Sequence, residues 1–131
     1  MDSDPQQKIW KLFKIAEQLA NRSIYSNYSF GCVIATKKRE IIGMGFNQGK
    51  THPNAAQFFG QTIHAELHAI LRSNKRKEKN LDMYVFRKNK KSGLIGRARP
   101  CKHCSKLIEE FGIIKRVFYT ISESSFECWK V

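Results

Sequence analysis

Apolar residues fall at Ile9, Leu12, Phe13, Ala16, Leu19 and Ala20, the spacing of one helical face, while Lys8, Lys11, Lys14 and Glu17 lie largely off it. This pattern predicts an α-helix over residues 5–21, with Asp4 as cap, Pro5 at the first helical position and Gln7 closing a capping box. A polar connector, Asn21 to Ser29, leads to two short apolar runs, Phe30–Ala35 and Ile41–Phe46. The charged turn Thr36–Glu40 between them reads as the tip of a β-hairpin. Asn47 to Gln61 reads as a loop, and a second helix begins near Thr62 with Ile63, Leu67, Ile70 and Leu71 as its buried stripe. The polar, strongly basic stretch Arg72 to Asn80 ends that helix. Leu81–Arg87 reads as a third strand and Lys88–Arg97 as a basic loop. A third helix runs from about Pro100 with Cys104, Leu107, Ile108 and Phe111 on one face, and Gly112 is its C-terminal stop. Ile113–Thr120 is a fourth strand and Phe126–Val131 a candidate fifth.

The predicted order is α-β-β-α-β-α-β with a final β. Strand–helix–strand units imply parallel neighbours and a sheet covered on both faces, and the opening hairpin makes that sheet mixed. The expectation is an α/β fold of three layers, α/β/α, around four to five strands. A turn as short as that before Phe126 favours an antiparallel last strand.

At 131 residues with 41% hydrophobic content, the chain fits one domain, residues 1–131, with a real core. No apolar run approaches the ~20 residues that cross a bilayer, and the acidic start Met1-Asp2-Ser3-Asp4 does not resemble a secretory signal. The expected setting is cytoplasmic, with no membrane partner. The formal charge of +13, from 24 basic and 11 acidic residues, favours anionic partners such as nucleotides or single-stranded nucleic acid. A generally basic, solvated surface gives the same count.

Four cysteines are present. Cys101 and Cys104 form a C-x-x-C at a helix start, where both sulfurs can face one point and the helix N-terminus favours thiolate. Cys32, in an apolar run, reads as a small core residue. Two thiolates with one imidazole suit zinc, and His64 is the candidate third ligand. That set leaves a fourth position for water, whose pKa would fall toward ~7. A closed alternative exists. His64 and His68 are spaced i, i+4 and would share a face of an ideal helix, whereas His64 and Glu66 are two ~100° steps apart and would not. Periodicity alone favours a structural Cys2His2 site, but the ligand pairs run in the reverse order from a zinc finger and the connection far exceeds its ~12 residues. Such a site also leaves Glu66 unexplained.

His64-Ala65-Glu66 and Pro100-Cys101-Lys102-His103-Cys104 form H-x-E…P-C-x-x-C, the pattern of zinc deaminases acting on nucleobases. With Gly45-Phe46-Asn47 and the run Leu107 to Thr120, these residues resemble the cytidine/deoxycytidylate deaminase superfamily over about residues 28 to 121, most closely its deoxycytidylate branch. The resemblance implies a cytidine-deaminase-like fold and one Zn2+ per chain on His64, Cys101 and Cys104. It makes Glu66 the catalytic proton shuttle for hydrolytic deamination, cytosine to uracil in a nucleotide or nucleoside, by attack of zinc-bound hydroxide. Ala65 would let the base approach the backbone and Asn47 would contact the sugar. A base within single-stranded DNA or RNA, adenine included, is the alternative substrate, and a non-enzymatic zinc nucleic-acid-binding module is a further one. The resemblance also implies assembly into homo-oligomers. His68 departs from the asparagine common in the deoxycytidylate branch, and the histidine-type zinc motif is commoner in the branch whose last strand is parallel. His52 is a candidate wall of the substrate cleft or a plain loop histidine. Tyr25, Tyr28 and Phe30 could stack on a base or pack in the core. Arg99, with Arg97 and Lys102, is a candidate phosphate contact or part of a solvated rim, and His103 should face solvent or the pocket mouth.

Overall fold

The longest uninterrupted apolar runs become the inner strands of one sheet. In the computed structural model, which describes residues 5–23, 28–47, 64–73 and 80–131, the strands are β1 (Tyr28–Ala35), β2 (Ile41–Phe46), β3 (Leu81–Asn89), β4 (Ile114–Thr120) and β5 (Phe126–Lys130). The helices are α1 (Pro5–Ala20), α2 (Ala65–Leu71) and α3 (Lys102–Phe111). Asp4, Tyr25, the loop with His52, the expected helix start at Thr62 and Ile63, and residues 74–79 of the basic stretch lie outside the described residues. No described helix is long and apolar enough to cross a membrane.

The strand order is β2-β1-β3-β4-β5. β1 is antiparallel to β2 and β3, β3 is parallel to β4, and β5 is antiparallel to β4. The fifth strand therefore exists, and it runs antiparallel. Only residues 121–125 link it to β4, closed by Ile121 N–H donating to Ser125 O at 2.9 Å, and a parallel return would need a crossover of about a dozen residues. Here chain length overrides the parallel direction associated with a histidine-type zinc motif.

Each face of the sheet is covered, giving the expected three layers. α1 packs Leu12, Phe13, Ala16, Leu19 and Ala20 onto Val33, Tyr84, Phe86 and Phe118. Trp10, Phe13, Tyr84, Phe118 and Phe126 form an aromatic group there, with Tyr84 stacked on Phe118 at 5.0 Å, and Phe126 anchors β5 to it. α2 and α3 cover the other face, over Cys32, Ile34, Met83, Val85, Val117 and Tyr119. Cys32 is fully buried there, a core residue as its setting predicts.

β1 and β3 run longer than the pattern-based expectation, β1 from Tyr28 rather than Phe30, and α2 buries a different face. β3 continues to Asn89, because Lys88 bridges to Ile95 and the Asn89 side chain accepts the Lys91 and Ser92 N–H groups in a tight turn. The face α2 buries is Ala65, Glu66, Leu67 and Ala69, while Leu71 is 39% exposed. The reason is a pair of glycines on β2. A Cβ at Gly45 would sit 2.6 Å from the Ala65 carbonyl oxygen, and one at Gly43 would sit 2.7 Å from that of Ala69. The helix lies against strand backbone, so small residues face inward and the large ones are pushed aside. A bulge at Ile42, between the pairs Ala35↔Ile41 and Ile34↔Gly43, turns both glycines toward α2. Gly31 does the same for α1, since a Cβ there would overlap the Ala16 carbonyl.

Within the buried run of β3 stands Asp82, its side chain 1% exposed. Arg116, its register partner on β4, donates from Nε to Oδ1 at 2.9 Å and from Nη2 to Oδ2 at 2.7 Å. This bidentate pair satisfies a carboxylate that the strand pattern buries. Replacing Arg116 with Met leaves that carboxylate buried and unpaired, and should lower the unfolding free energy by about 3 kcal/mol, while adding Asp82→Leu should restore most of the loss. Denaturant titration of wild type, single and double variants measures both effects; wild-type stability in Arg116→Met would contradict this account.

Candidate metal centre

Two helix N-termini meet at the same end of the sheet. Cys101 is the N-cap of α3, with φ −67° and ψ 172°, and its sulfur accepts the Cys104 N–H at 3.5 Å. Ser105 ties this turn down by donating from Oγ to Pro100 O at 3.2 Å. His64 is the N-cap of α2, with φ −74° and ψ 153°. His64 Nδ1 lies 3.7 Å from Cys101 Sγ and 3.4 Å from Cys104 Sγ, and the three ligand atoms all fall within 4.8 Å of one another. A tetrahedral metal with zinc-like bonds of about 2.3 Å to sulfur and 2.05 Å to nitrogen would separate a sulfur and a nitrogen by about 3.6 Å. The observed separations bracket that value, so the triad fits one Zn2+.

The cap conformation resolves the problem that ideal helix periodicity posed. His64 is extended rather than helical, so its side chain is not bound to the face shared by i and i+4. It turns to the cysteines; Glu66, which is 5% exposed, lies close enough for its carboxyl to interact electrostatically with His64 and both cysteines. His68 goes elsewhere. Its Nδ1 accepts the Phe46 N–H at 3.0 Å, and its ring stands edge-on to that of Phe46 at 5.1 Å. The metal-competent group among the described residues contains His64, Cys101 and Cys104 without His68. The closed Cys2His2 arrangement lacks its fourth ligand there.

The electrostatics suit metal binding. The Cys101 thiol is pushed down to about 3, first by the hydrogen bond from the Cys104 thiol and then by that from His64. Cys104 moves up, chiefly because it donates to Cys101 and is buried. The Cys101 hydrogen bond also raises His64. Together they form a shared-proton cluster, which a dication would displace into two thiolates and a neutral imidazole. Burial raises the Glu66 carboxyl above its usual range, opposed by its own main-chain N–H and by His64.

The remaining sequence-predicted residues spread around this end of the sheet. Ala65 is fully buried over Gly45, so its size is required by packing as well as by any approaching base. Asn47 is 9% exposed; its Oδ1 accepts the Phe30 N–H at 2.9 Å and its Nδ2 donates to Tyr28 O at 3.0 Å, extending the β1–β2 ladder. Phe30 packs against the core, and Tyr28 is 40% exposed beneath the Arg87 guanidinium at 4.1 Å. Arg99 donates to Tyr119 Oη at 3.2 Å, Tyr119 donates to Glu127 at 2.8 Å, and Arg97 lies 3.7 Å from Glu127. Tyr119 and Glu127 were not among the sequence-predicted residues. They face each other in the β4–β5 register, which only the strand direction reveals. His103 and Lys102 are exposed on the first turn of α3.

A family model described as the cytidine and deoxycytidylate deaminase zinc-binding region matches residues 6–121. A cytidine deaminase from Burkholderia pseudomallei has a similar structure, with a TM-score of 0.69 and 17% identity over 92% of this chain and 91% of that one. A dCMP deaminase from the cyanophage S-TIM5 aligns with a TM-score of 0.63 and 19% identity, covering 93% and 88% of the two chains. A Mycobacterium tuberculosis cytidine deaminase gives 0.57 and 18%, covering 91% and 85%. No curated protein matches the sequence.

Two outcomes test this geometry. Metal analysis should find one zinc per chain, lost in Cys104→Ala and retained in His68→Ala; zinc loss from the latter would restore the closed site. The second concerns His68, held below its ordinary 6.5 by burial and then by the Arg72 charge. A base with a depressed folded pKa contributes stability that is full above 6.5 and falls as the pH drops below it toward the folded value. Urea midpoints should therefore decline as the pH is lowered through that window, and decline less in His68→Leu.

Proposed function

Because this chain belongs to the cytidine and deoxycytidylate deaminase zinc-binding family, we propose that it hydrolyses the amino group of cytosine in a free nucleotide or nucleoside, with Glu66 moving the protons. The observation that carries the reading is a carboxyl group, 5% exposed, placed beside the His64–Cys101–Cys104 triad by an extended helix cap. A structural metal site has no use for a buried acid at that point.

Zinc held by His64, Cys101 and Cys104 would supply Lewis-acid activation of a water molecule. Glu66 takes the proton that water gives up and delivers it to the ring nitrogen N3 as oxygen adds to C4. It then carries the second proton to the amino group, the C4–N bond breaks, and ammonia leaves. The raised pKa of its carboxyl suits this role, since the group must hold a proton between transfers near neutral pH. The Ala65 main chain at the start of α2 receives the base carbonyl. Asn47, fixed by the β1 main chain, offers a rigid polar edge to the sugar. Arg99, with Arg97, lies two to four residues before Cys101 and takes a substrate phosphate. That rim favours a nucleotide over a nucleoside.

Ammonia release or ultraviolet change should be followed with dCMP, CMP, cytidine, deoxycytidine, deoxyadenosine and a cytosine-containing single strand. We expect turnover of the free cytosine compounds, fastest with a phosphate. Glu66→Gln should keep its zinc and lose about 10²–10⁴-fold in kcat. Undiminished turnover in that variant sinks the mechanism, and activity confined to the single strand moves the substrate to polynucleotides.

A further inference from the structure

A second concave site lies apart from the metal centre. A cleft of about 480 Å³ opens between the end of α1, the edge strand β2 and the last turn of α2. Neither the metal triad nor Glu66 lines it. Its volume is typical of small-molecule sites, which span roughly 300–1,000 Å³. Arg22 and Arg72 line it with His68, Phe46, Leu19 and Ile41, and no carboxylate is among its described lining residues.

Two arginines thus share one concave surface with apolar side chains. Lys88, Arg97 and Arg116 pair with Glu17, Glu127 and Asp82 respectively. Among the described residues, neither Arg22 nor Arg72 has such a pair. Arg22 instead lies over the Phe46 ring at 5.4 Å. Both charges reach the same place, since each depresses the His68 imidazole, after burial. Two guanidiniums brought to one cleft repel each other, and an anion between them relieves that repulsion. Guanidinium forks match phosphate oxygens in pairs, and the apolar walls suit a flat ring beside the phosphate.

We propose that this cleft binds a phosphate monoester joined to an apolar ring, with Arg22 and Arg72 on the phosphate and Phe46, Leu19 and Ile41 against the ring. No residue of the metal triad, nor Glu66, takes part.

Phenyl phosphate is a suitable probe, titrated into the full zinc-loaded chain by calorimetry and by ¹H–¹⁵N NMR. We expect saturable binding at least about tenfold tighter than that of inorganic phosphate, with shifts at Arg22, Phe46, His68 and Arg72. Arg22→Gln and Arg72→Gln should each weaken it about tenfold, the loss of one charged hydrogen bond, with zinc content unchanged. Affinity should fall as salt rises. Three results would each overturn the proposal: no binding at millimolar probe, binding indifferent to both substitutions, or shifts confined to the surroundings of His64 and Cys101.

Discussion

α2 can bring His64 and Glu66 to the end of α3 only because it lies almost on the backbone of β2. Gly43 and Gly45 remove the side chains that would hold the helix off, and Ala65 and Ala69 fill the narrow gap that remains. A side chain at Gly45 would collide with α2 at the turn that carries Glu66. Since the His64–sulfur distances already lie close to those a tetrahedral metal needs, lifting the helix by an ångström or two would open the triad beyond reach. His68 reinforces the same seat from the last turn, by accepting the main-chain N–H of Phe46. The residue that looked most like a fourth ligand thus holds the helix to the strand.

The charges follow a related logic. Where the fold buries an acid for stability it supplies a fork: Asp82 sits in the β3 run and Arg116 meets it in register. Glu66 is buried to the same degree, yet its neighbours are a thiol, an imidazole and its own N–H. An acid left without a guanidinium beside a metal-competent triad is poised to exchange protons. The high positive charge is distributed unevenly too. Part of it is answered by Glu17, Glu127 and Asp82, and part converges on the edge of β2, where no acid among the described residues meets it.

Much of this was legible in the chain alone. The helical stripe from Ile9 to Ala20, the continuous runs of β1 and β3, and Gly112, whose φ of 80° ends α3, depend on local periodicity and stereochemistry, and they fix the layer order. The spacing of Cys101 and Cys104 at a helix start fixes two of the three metal ligands for the same reason, because a separation of three residues in one turn settles where two sulfurs point. Zinc's preference for an imidazole beside two thiolates pointed to His64 as the third, and the family resemblance supplied the role of Glu66, whose place beside His64 ideal helix geometry argued against.

What the tertiary structure decided are quantities that depend on residues far apart in sequence. The extended cap of His64 turns it toward the cysteines and away from the i, i+4 face it would share with His68. The antiparallel course of β5 puts Glu127 opposite Tyr119, and the bulge at Ile42 turns two glycines toward α2. The Asp82–Arg116 pair joins strands 34 residues apart. Periodicity assigns a side chain to a face of its own element; which neighbour waits there depends on how the elements pack.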